Sequence, residues 1–327
     1  MVTLSIGNFD GVHAGHRALI SLARQVAGDS GPVVAVTFEP LPAARLRPST
    51  APPRLSTAEE RRERLLGAGA DEVVELEPTP ELLGQSPEEF LASLRARVPF
   101  GAIVEGEDFR FGKGRAGDLA MLRAIGEREG FRTLVMPGIE IELGDLTLAR
   151  AASSLVRWML GQGRVHDAGR LLGRPYAIAG VTAPGDRRGR TLGFPTANLA
   201  DGSWGGTMLP ADGVYAGVAT LPDGRERIAA ISIGTKSTFG GTRRTCEAHL
   251  PGESLPLDWY GWPLRIAFTR WIRGQMRFAG PEAIAGQIAR DLAAVTGEGV
   301  HAWTLIMFRM RRWPSWPRRS AGRGGWW

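Results

Sequence analysis

The sequence predicts an α/β domain followed by an antiparallel β domain, and three observations carry that prediction. The chain has 327 residues, more than one small core usually takes, so two hydrophobic cores are expected. In the first half, short apolar β runs alternate with helix-period stretches, the pattern of βα units that build a parallel sheet with helices on both faces. After about residue 165, short β runs are separated by glycine turns, the pattern of an antiparallel barrel or sandwich.

Taken in order, residues 2–6 (Val-Thr-Leu-Ser-Ile) read as a strand. The run Gly7-Asn8-Phe9-Asp10-Gly11-Val12-His13-Ala14-Gly15-His16 then turns the chain into a helix marked by Leu19, Ile20, Leu22 and Val26. Residues 33–38, 102–106 and 133–136 supply further strands between helical segments. In the second half, strands are expected at 176–182, 213–220, 227–234, 244–250 and 263–269, and a helix over 282–292 closes the domain. The expected divisions are residues 1–160, residues 161–298 and an Arg/Trp-rich tail over 299–327, expected to be disordered.

Composition narrows the function classes. With 43% hydrophobic and 23% charged residues, the chain can bury enough apolar surface to offset its conformational entropy. The formal net charge of +6 equals the six arginines at 309, 311, 312, 318, 319 and 323, which leaves residues 1–300 formally neutral and argues against nucleic acid as a partner of the body. No stretch approaches the roughly 20 apolar residues that span a bilayer. The N-terminus lacks a basic segment followed by an apolar run, so a cytoplasmic protein with no membrane partner is expected. Cys246 is the single cysteine, which excludes an internal disulfide and a thiolate metal site and leaves oxygen ligands for any metal.

Three segments of the first half carry candidate chemistry. His13 and His16, spaced i, i+3 at the start of a helix, face whatever sits at the helix N-terminus, a position that favours anions. Gly7 and Gly11 are expected to permit the tight turn, and Gly15 to let a phosphate approach the backbone. Positioned donors of this kind suit nucleotidyl transfer, where charge builds on an α-phosphate as pyrophosphate leaves. The loop Gly106-Glu107-Asp108-Phe109-Arg110-Phe111-Gly112-Lys113-Gly114 combines acids, aromatics and cations suited to packing a ring and meeting a phosphate. Ser153, Ser154 and Arg157 place hydroxyls and a guanidinium at a helix start, where a serine N-cap is the plainer alternative.

In the second half, residues 185–199 form a glycine-rich loop that includes Gly185 and Gly193 and ends in Pro195-Thr196-Ala197-Asn198. A hydroxyl and an amide two residues apart in extended backbone point the same way, so Thr196 and Asn198 can share one hard cation, and magnesium fits best. Glu247, on the strand candidate 244–250, can accept the proton of an attacking hydroxyl, with His249 on the same facing to orient it, and a salt-bridge partner is the plainer alternative for a lone strand carboxylate.

The series GNFDGVHAGH, VTFEP, GEDFRFGKGRAGD, SSLVR and GRTLGFPTANL, in this order over roughly residues 3–295, resembles the bacterial bifunctional riboflavin kinase/FMN adenylyltransferase (FAD synthetase) family. The resemblance implies a Rossmann-like HxGH nucleotidyltransferase domain with a parallel sheet, and a C-terminal six-stranded antiparallel riboflavin kinase barrel with a terminal helix. In the first domain it implies His13, His16 and Arg157 as catalytic. Gly7, Asn8, Phe9, Asp10, Gly15, Asp108, Phe109, Arg110, Ser153 and Ser154 would bind nucleotide and flavin. In the second it implies Glu247 as the base, Thr196 and Asn198 on Mg–ATP, and Gly185, Gly193 and Pro195 at the nucleotide. Substrates would be riboflavin, FMN and ATP, with FAD as product and Mg²⁺ as cofactor, and a homo-oligomer stays open.

The chain departs from the family pattern at several positions. Leu41 stands for a usual histidine, Ala152 for a hydroxyl, Ser232 for an asparagine, Ser237 for a proline and Gln275 for a glutamate. Two alternatives therefore accompany the main reading: an FAD synthetase whose kinase half has decayed, and a non-catalytic flavin-binding regulatory protein.

Overall fold

The computed structural model describes residues 1–185, 193–238, 241–253 and 260–297. The tail over 299–327, expected to be disordered, lies outside the described residues. The chain forms two compact units: Met1–Leu160 with Asp167–Gly173 and Gly206–Met208, and Gly161–His166 with Arg174–Gly205 and the chain from Leu209 onward.

The first unit follows the order β1 (Thr3–Ile6), α1 (Ala14–Ala27), β2 (Val33–Phe38), α2 (Pro42–Leu46), α3 (Ala58–Gly67), β3 (Glu72–Leu76), α4 (Pro80–Gly84), α5 (Pro87–Arg97), β4 (Ala102–Gly106), α6 (Leu119–Glu129), β5 (Arg132–Met136), β6 (Glu140–Glu142), β7 (Leu148–Arg150), α7 (Ser153–Gly161) and α8 (Val165–Leu172). β1 to β5 form one parallel sheet in the order β3-β2-β1-β4-β5, so the chain reverses its direction of growth between β1 and β4. Open α/β sheets bind ligands in the crevice at such a switch point, beyond the carboxyl ends of the strands. β1 and β2 are buried almost throughout, as expected for central parallel strands covered on both faces. One face packs Leu4, Ile6, Ile103, Leu122 and the rings of Phe90, Phe100, Phe111 and Phe131. The other packs Ile20, Ala23, Val33, Ala35, Leu65, Val73 and Val104 beneath α1.

Local signals set the helix starts. Thr57 and Ser86 form complete capping boxes with Glu60 and Glu89, and Asp118 accepts from the Met121 N–H at 2.9 Å. Three strands of this unit escape the sequence reading. β3 is a sheet-edge strand, Glu-Val-Val-Glu-Leu, whose acids stay exposed, and the three-residue strands β6 and β7 are too short to show a period.

The second unit contains β8 (Tyr176–Ala183), β9 (Thr196–Leu199), β10 (Gly213–Thr220), β11 (Glu226–Thr238), β12 (Gly241–His249), β13 (Pro263–Gly274) and α9 (Pro281–Thr296). The strands close into a six-stranded antiparallel barrel in the order β10-β11-β12-β9-β8-β13. Tyr176, Tyr215, Ile231, Ile233, Cys246, Ala248, Leu264, Ile266 and Phe268 are buried, and Phe268 meets the Tyr215 ring edge-on at 5.4 Å. Cys246 is free, and burial pushes its thiol up, so it serves as a small apolar residue. β9, four residues directly after a proline, is the one barrel strand that the β-run pattern did not mark.

Candidate functional site

In the first unit the switch-point crevice is bounded by the turn from β1 into α1. His13 is the N-cap of α1 in extended conformation, and the His13 and His16 rings stack at 3.6 Å with a 22° tilt. Phe9 closes the far side of His16, edge-on at 5.2 Å. The turn owes its sharpness to left-handed backbone at Phe9 (φ 45°), Gly11 (φ 80°) and Val12 (φ 43°). Gly7 does not adopt such a conformation, so of the two glycines expected to make the turn only Gly11 does so, and a side chain there would press on Leu55. At Gly15, the space a side chain would need is taken by the His13 ring at 3.2 Å and by the Ala151 carbonyl at 3.4 Å, so the glycine gives the imidazole room.

Asp10 is 2% exposed, and its carboxylate accepts the Leu55 N–H, at 3.0 and 3.1 Å, and an N–H of Arg157. Burial raises its pKa, with Arg157 and the Leu55 N–H opposing that shift. Ser153 donates to the Asp10 carbonyl at 2.8 Å, so it ties the start of α7 to the β1–α1 turn. Arg157 also donates to the Pro53 carbonyl at 2.7 Å, while Ser154 and Asn8 are exposed at the surface of the site.

The loop after β4 stacks Phe109 on Phe111 at 5.4 Å and leaves Asp108 and Arg110 exposed, Arg110 donating to the Phe109 carbonyl at 2.9 Å. Arg150 of β7 reaches Glu107 at 2.8 Å and Asp108 at 3.6 Å, across the room left by Gly138.

Sequence reasoning missed the ionic group beneath this site. Arg61, 1% exposed, pairs with Glu39 at 2.8 Å and donates to the carbonyls of Phe38 and Asn8 at 2.9 and 3.4 Å. Arg54 pairs with the same Glu39. Burial lowers the Arg61 pKa, opposed by the Glu39 carboxylate. Nothing in Glu59-Glu60-Arg61-Arg62, a run of charges on a helix, marks one arginine as buried. Leu41, where the resembled pattern has histidine, is 8% exposed and is the N-cap of α2.

The barrel site is a row across neighbouring strands. Glu247 of β12 lies directly opposite Asn198 of β9, and His249 opposite Thr196. Thr196 Oγ1 donates to the Glu247 carboxylate at 3.4 Å, and the Asn198 amide reaches Thr196 Oγ1 at 3.4 Å. Gly185 packs so closely on Asn198 that a side chain there would overlap the amide, and Gly193 takes a left-handed turn (φ 82°) before the strand. His249 Nδ1 bonds the Pro195 carbonyl at 2.7 Å, and the Phe194 ring stands edge-on to the imidazole at 5.7 Å. The bond shown for His249 therefore holds the segment that leads into Thr196, whereas the sequence reading has it orient Glu247.

Hydroxyl, amide and carboxylate oxygens on one face form a hard donor set that suits a small divalent cation held together with phosphates. Among the described residues, no group of three or more His, Cys, Asp or Glu could hold a metal alone.

The FAD synthetase family profile matches residues 1–147, and the riboflavin kinase profile matches residues 172–297. A bifunctional riboflavin kinase/FMN adenylyltransferase of Escherichia coli (strain K12) is 36% identical over 298 residues, covering 88% of this chain and 90% of that protein. The chain belongs to this bifunctional family. The Pseudomonas fluorescens relative of the same description is 35% identical over 294 residues, with 89% and 90% of the two chains covered. The Listeria monocytogenes relative is 30% identical over 297 residues, with 88% and 89% covered. A solved structure described as a macrolide-efflux protein from Streptococcus pneumoniae superposes with a TM-score of 0.80 at 27% identity, covering 90% of this chain and 93% of that one. Among the described residues here, no helix is long and apolar enough to cross a membrane.

Proposed function

We propose that the protein makes FAD from riboflavin in two ATP-dependent steps, one in each unit. The barrel transfers the γ-phosphoryl group of ATP to riboflavin, and the first unit transfers AMP from a second ATP to the resulting FMN.

In the first step, Glu247 takes the proton of the riboflavin 5′-hydroxyl as its oxygen bonds the γ-phosphorus and the bond to the β-phosphate oxygen breaks, giving FMN and ADP. Thr196 and Asn198 would hold Mg²⁺ with the nucleotide, and Gly185, Gly193 and Pro195 shape the loop against it. When bound, Mg²⁺ supplies charge neutralisation to the phosphates. The Thr196–Glu247 contact at 3.4 Å and the packing of Gly185 on Asn198 support this assignment.

In the second step, an FMN phosphate oxygen bonds the α-phosphorus of ATP and pyrophosphate leaves. His13 and His16 donate to the phosphates as charge builds, beside the N-terminal N–H groups of α1. Arg157 supplies a further cation, held by Asp10, and Ser154 and Asn8 offer exposed polar groups to the substrates. Phe9 and Gly11 shape the turn, Gly7 lies against the Phe9 ring, and Phe9 and Gly15 pack against the imidazoles. Ser153 ties α7 to it, and Asp108, Phe109 and Arg110 form the flavin-facing loop.

The observation that carries the reading is the stacked His13–His16 pair at the start of α1, beside the reversal in strand order. The test is product analysis by chromatography, with riboflavin, ATP and Mg²⁺ in one mixture and FMN, ATP and Mg²⁺ in another. FMN and FAD are expected in the first and FAD in the second. FAD from FMN with nothing from riboflavin would leave a single-activity synthetase.

A further inference from the structure

Two of the positions that depart from the family pattern, Ser232 and Gln275, are far apart in sequence and bonded to each other in the fold. Gln275 Nε2 donates to Ser232 Oγ at 3.1 Å and to the Ile233 carbonyl at 2.6 Å. Register explains the meeting. β10 begins at Gly213, which pairs with Ile233 on one side and with Gly274, the last residue of β13, on the other. Gln275 follows Gly274 directly, so its side chain passes the end of β10 and laces β13 to β11.

Two further features hold the amide in place. A side chain at Gly234 would put its Cβ 3.2 Å from Gln275 Nε2, so that glycine leaves the room the amide uses. Arg273, two residues earlier, grips Asp291 of α9 through three contacts at 3.0, 3.1 and 2.7 Å, which fixes the exit of β13.

Ser232 stands directly opposite Glu247, which stands opposite Asn198. Directly opposed residues of paired strands face the same side, so Ser232 extends the row that holds the proposed base. Its neighbours Ile231 and Ile233 point into the barrel core at 0% exposure.

We propose that Gln275 is a positioning residue for phosphoryl transfer, acting through Ser232: its amide holds the strand that faces Glu247 and commits the Ser232 hydroxyl as an acceptor, with the hydroxyl proton directed into the Asn198–Glu247–Ser232 row. The inference rests on the kinase reading above. It also recasts Ser232 and Gln275 as one compensated unit. A glutamate at 275 has no proton for the Ile233 carbonyl and would set acceptor against acceptor, whereas an asparagine at 232 could donate to that glutamate.

The test is a double-mutant cycle on the full chain, reading kcat and KM for riboflavin phosphorylation, with adenylylation of supplied FMN as the control. Gln275→Glu is expected to lower kcat about tenfold with little change in the KM for riboflavin. Ser232→Asn with Gln275→Glu is expected to recover most of that loss, a coupling within the range of contacting residues. Adenylylation should stay as in the wild type throughout. Gln275→Ala, which removes both bonds without adding charge, serves if the charged variant does not fold, and it should lower kcat by about threefold or more. Wild-type kcat in Gln275→Glu or Gln275→Ala, additive effects in the cycle, or a loss confined to KM would overturn the inference while leaving the kinase reading intact. A wild-type protein that makes no FMN would overturn both.

Discussion

The two units hold their candidate catalytic groups by different means. In the first, His13, His16 and Arg157 depend on a turn with three residues in left-handed backbone and on buried charges: Asp10 at 2% exposure holding Arg157, and Arg61 at 1% holding Glu39 and two carbonyls. In the barrel, Asn198, Glu247 and Ser232 are positioned by strand register, and their side chains are half-buried on the non-core face. A site built on register is a repeated hydrogen-bond ladder that tolerates exchange of individual side chains. A site built on buried ion pairs fails when one partner is removed, because the other charge is left without compensation.

The largest expected effects separate the two sites outright. Glu247→Gln should lower riboflavin phosphorylation by about 10²–10⁴-fold and spare FMN adenylylation. His16→Ala should lower adenylylation by about 10²–10³-fold and spare phosphorylation. Both are read by product formation from riboflavin and from FMN separately, and equal loss of both activities in either variant would contradict a two-site protein.

A smaller effect probes the buried charges. Asp10→Ala strands Arg157 and the Leu55 N–H, and should destabilise the first unit by about 3–5 kcal/mol, the usual cost of breaking a buried pair. Arg157→Met in the same background should recover part of that loss in denaturant unfolding, since the stranded charge is then gone. No recovery would mean that the Leu55 contact, not the ion pair, carries the stability.

The smallest effect concerns Glu105, on β4 within the same sheet. Its carboxyl is 2% exposed and accepts the Ile6 N–H, and burial raises its pKa well above the usual carboxylate range. Below the unfolded pKa of about 4.3 both states hold the proton. As pH rises, the unfolded chain releases it first, so the native state binds more protons and stability falls until the folded pKa is passed. Glu105→Gln keeps an acceptor for Ile6 without that loss. It should match the wild type near pH 4 and unfold at higher temperature at pH 8, by roughly 2–4 °C per kcal/mol regained. Equal midpoints at both pH values would show that Glu105 ionises without penalty.

The candidate residues of each site lie in short motifs of the sequence. The HxGH run after a strand, and threonine and asparagine two apart after a proline, have spacings that the backbone periods turn directly into shared faces. The βα alternation and the glycine-spaced β runs likewise predicted the two classes of unit. What spacing could not supply was any partner distant in the chain. The burial of Arg61 against Glu39, the tie from Asp10 to Arg157, the use of the room beside Gly15 by an imidazole, and the bond from Gln275 to Ser232 arise only when the elements pack. The sequence by itself determined the two fold classes and the family, and named the candidate residues of each proposed site, because these follow from local periodicity and motif. The tertiary structure alone decided which charges are buried, which hydroxyl faces Glu247 and what each glycine makes room for, because those depend on contacts between residues up to 147 positions apart, as in Arg157 and Asp10.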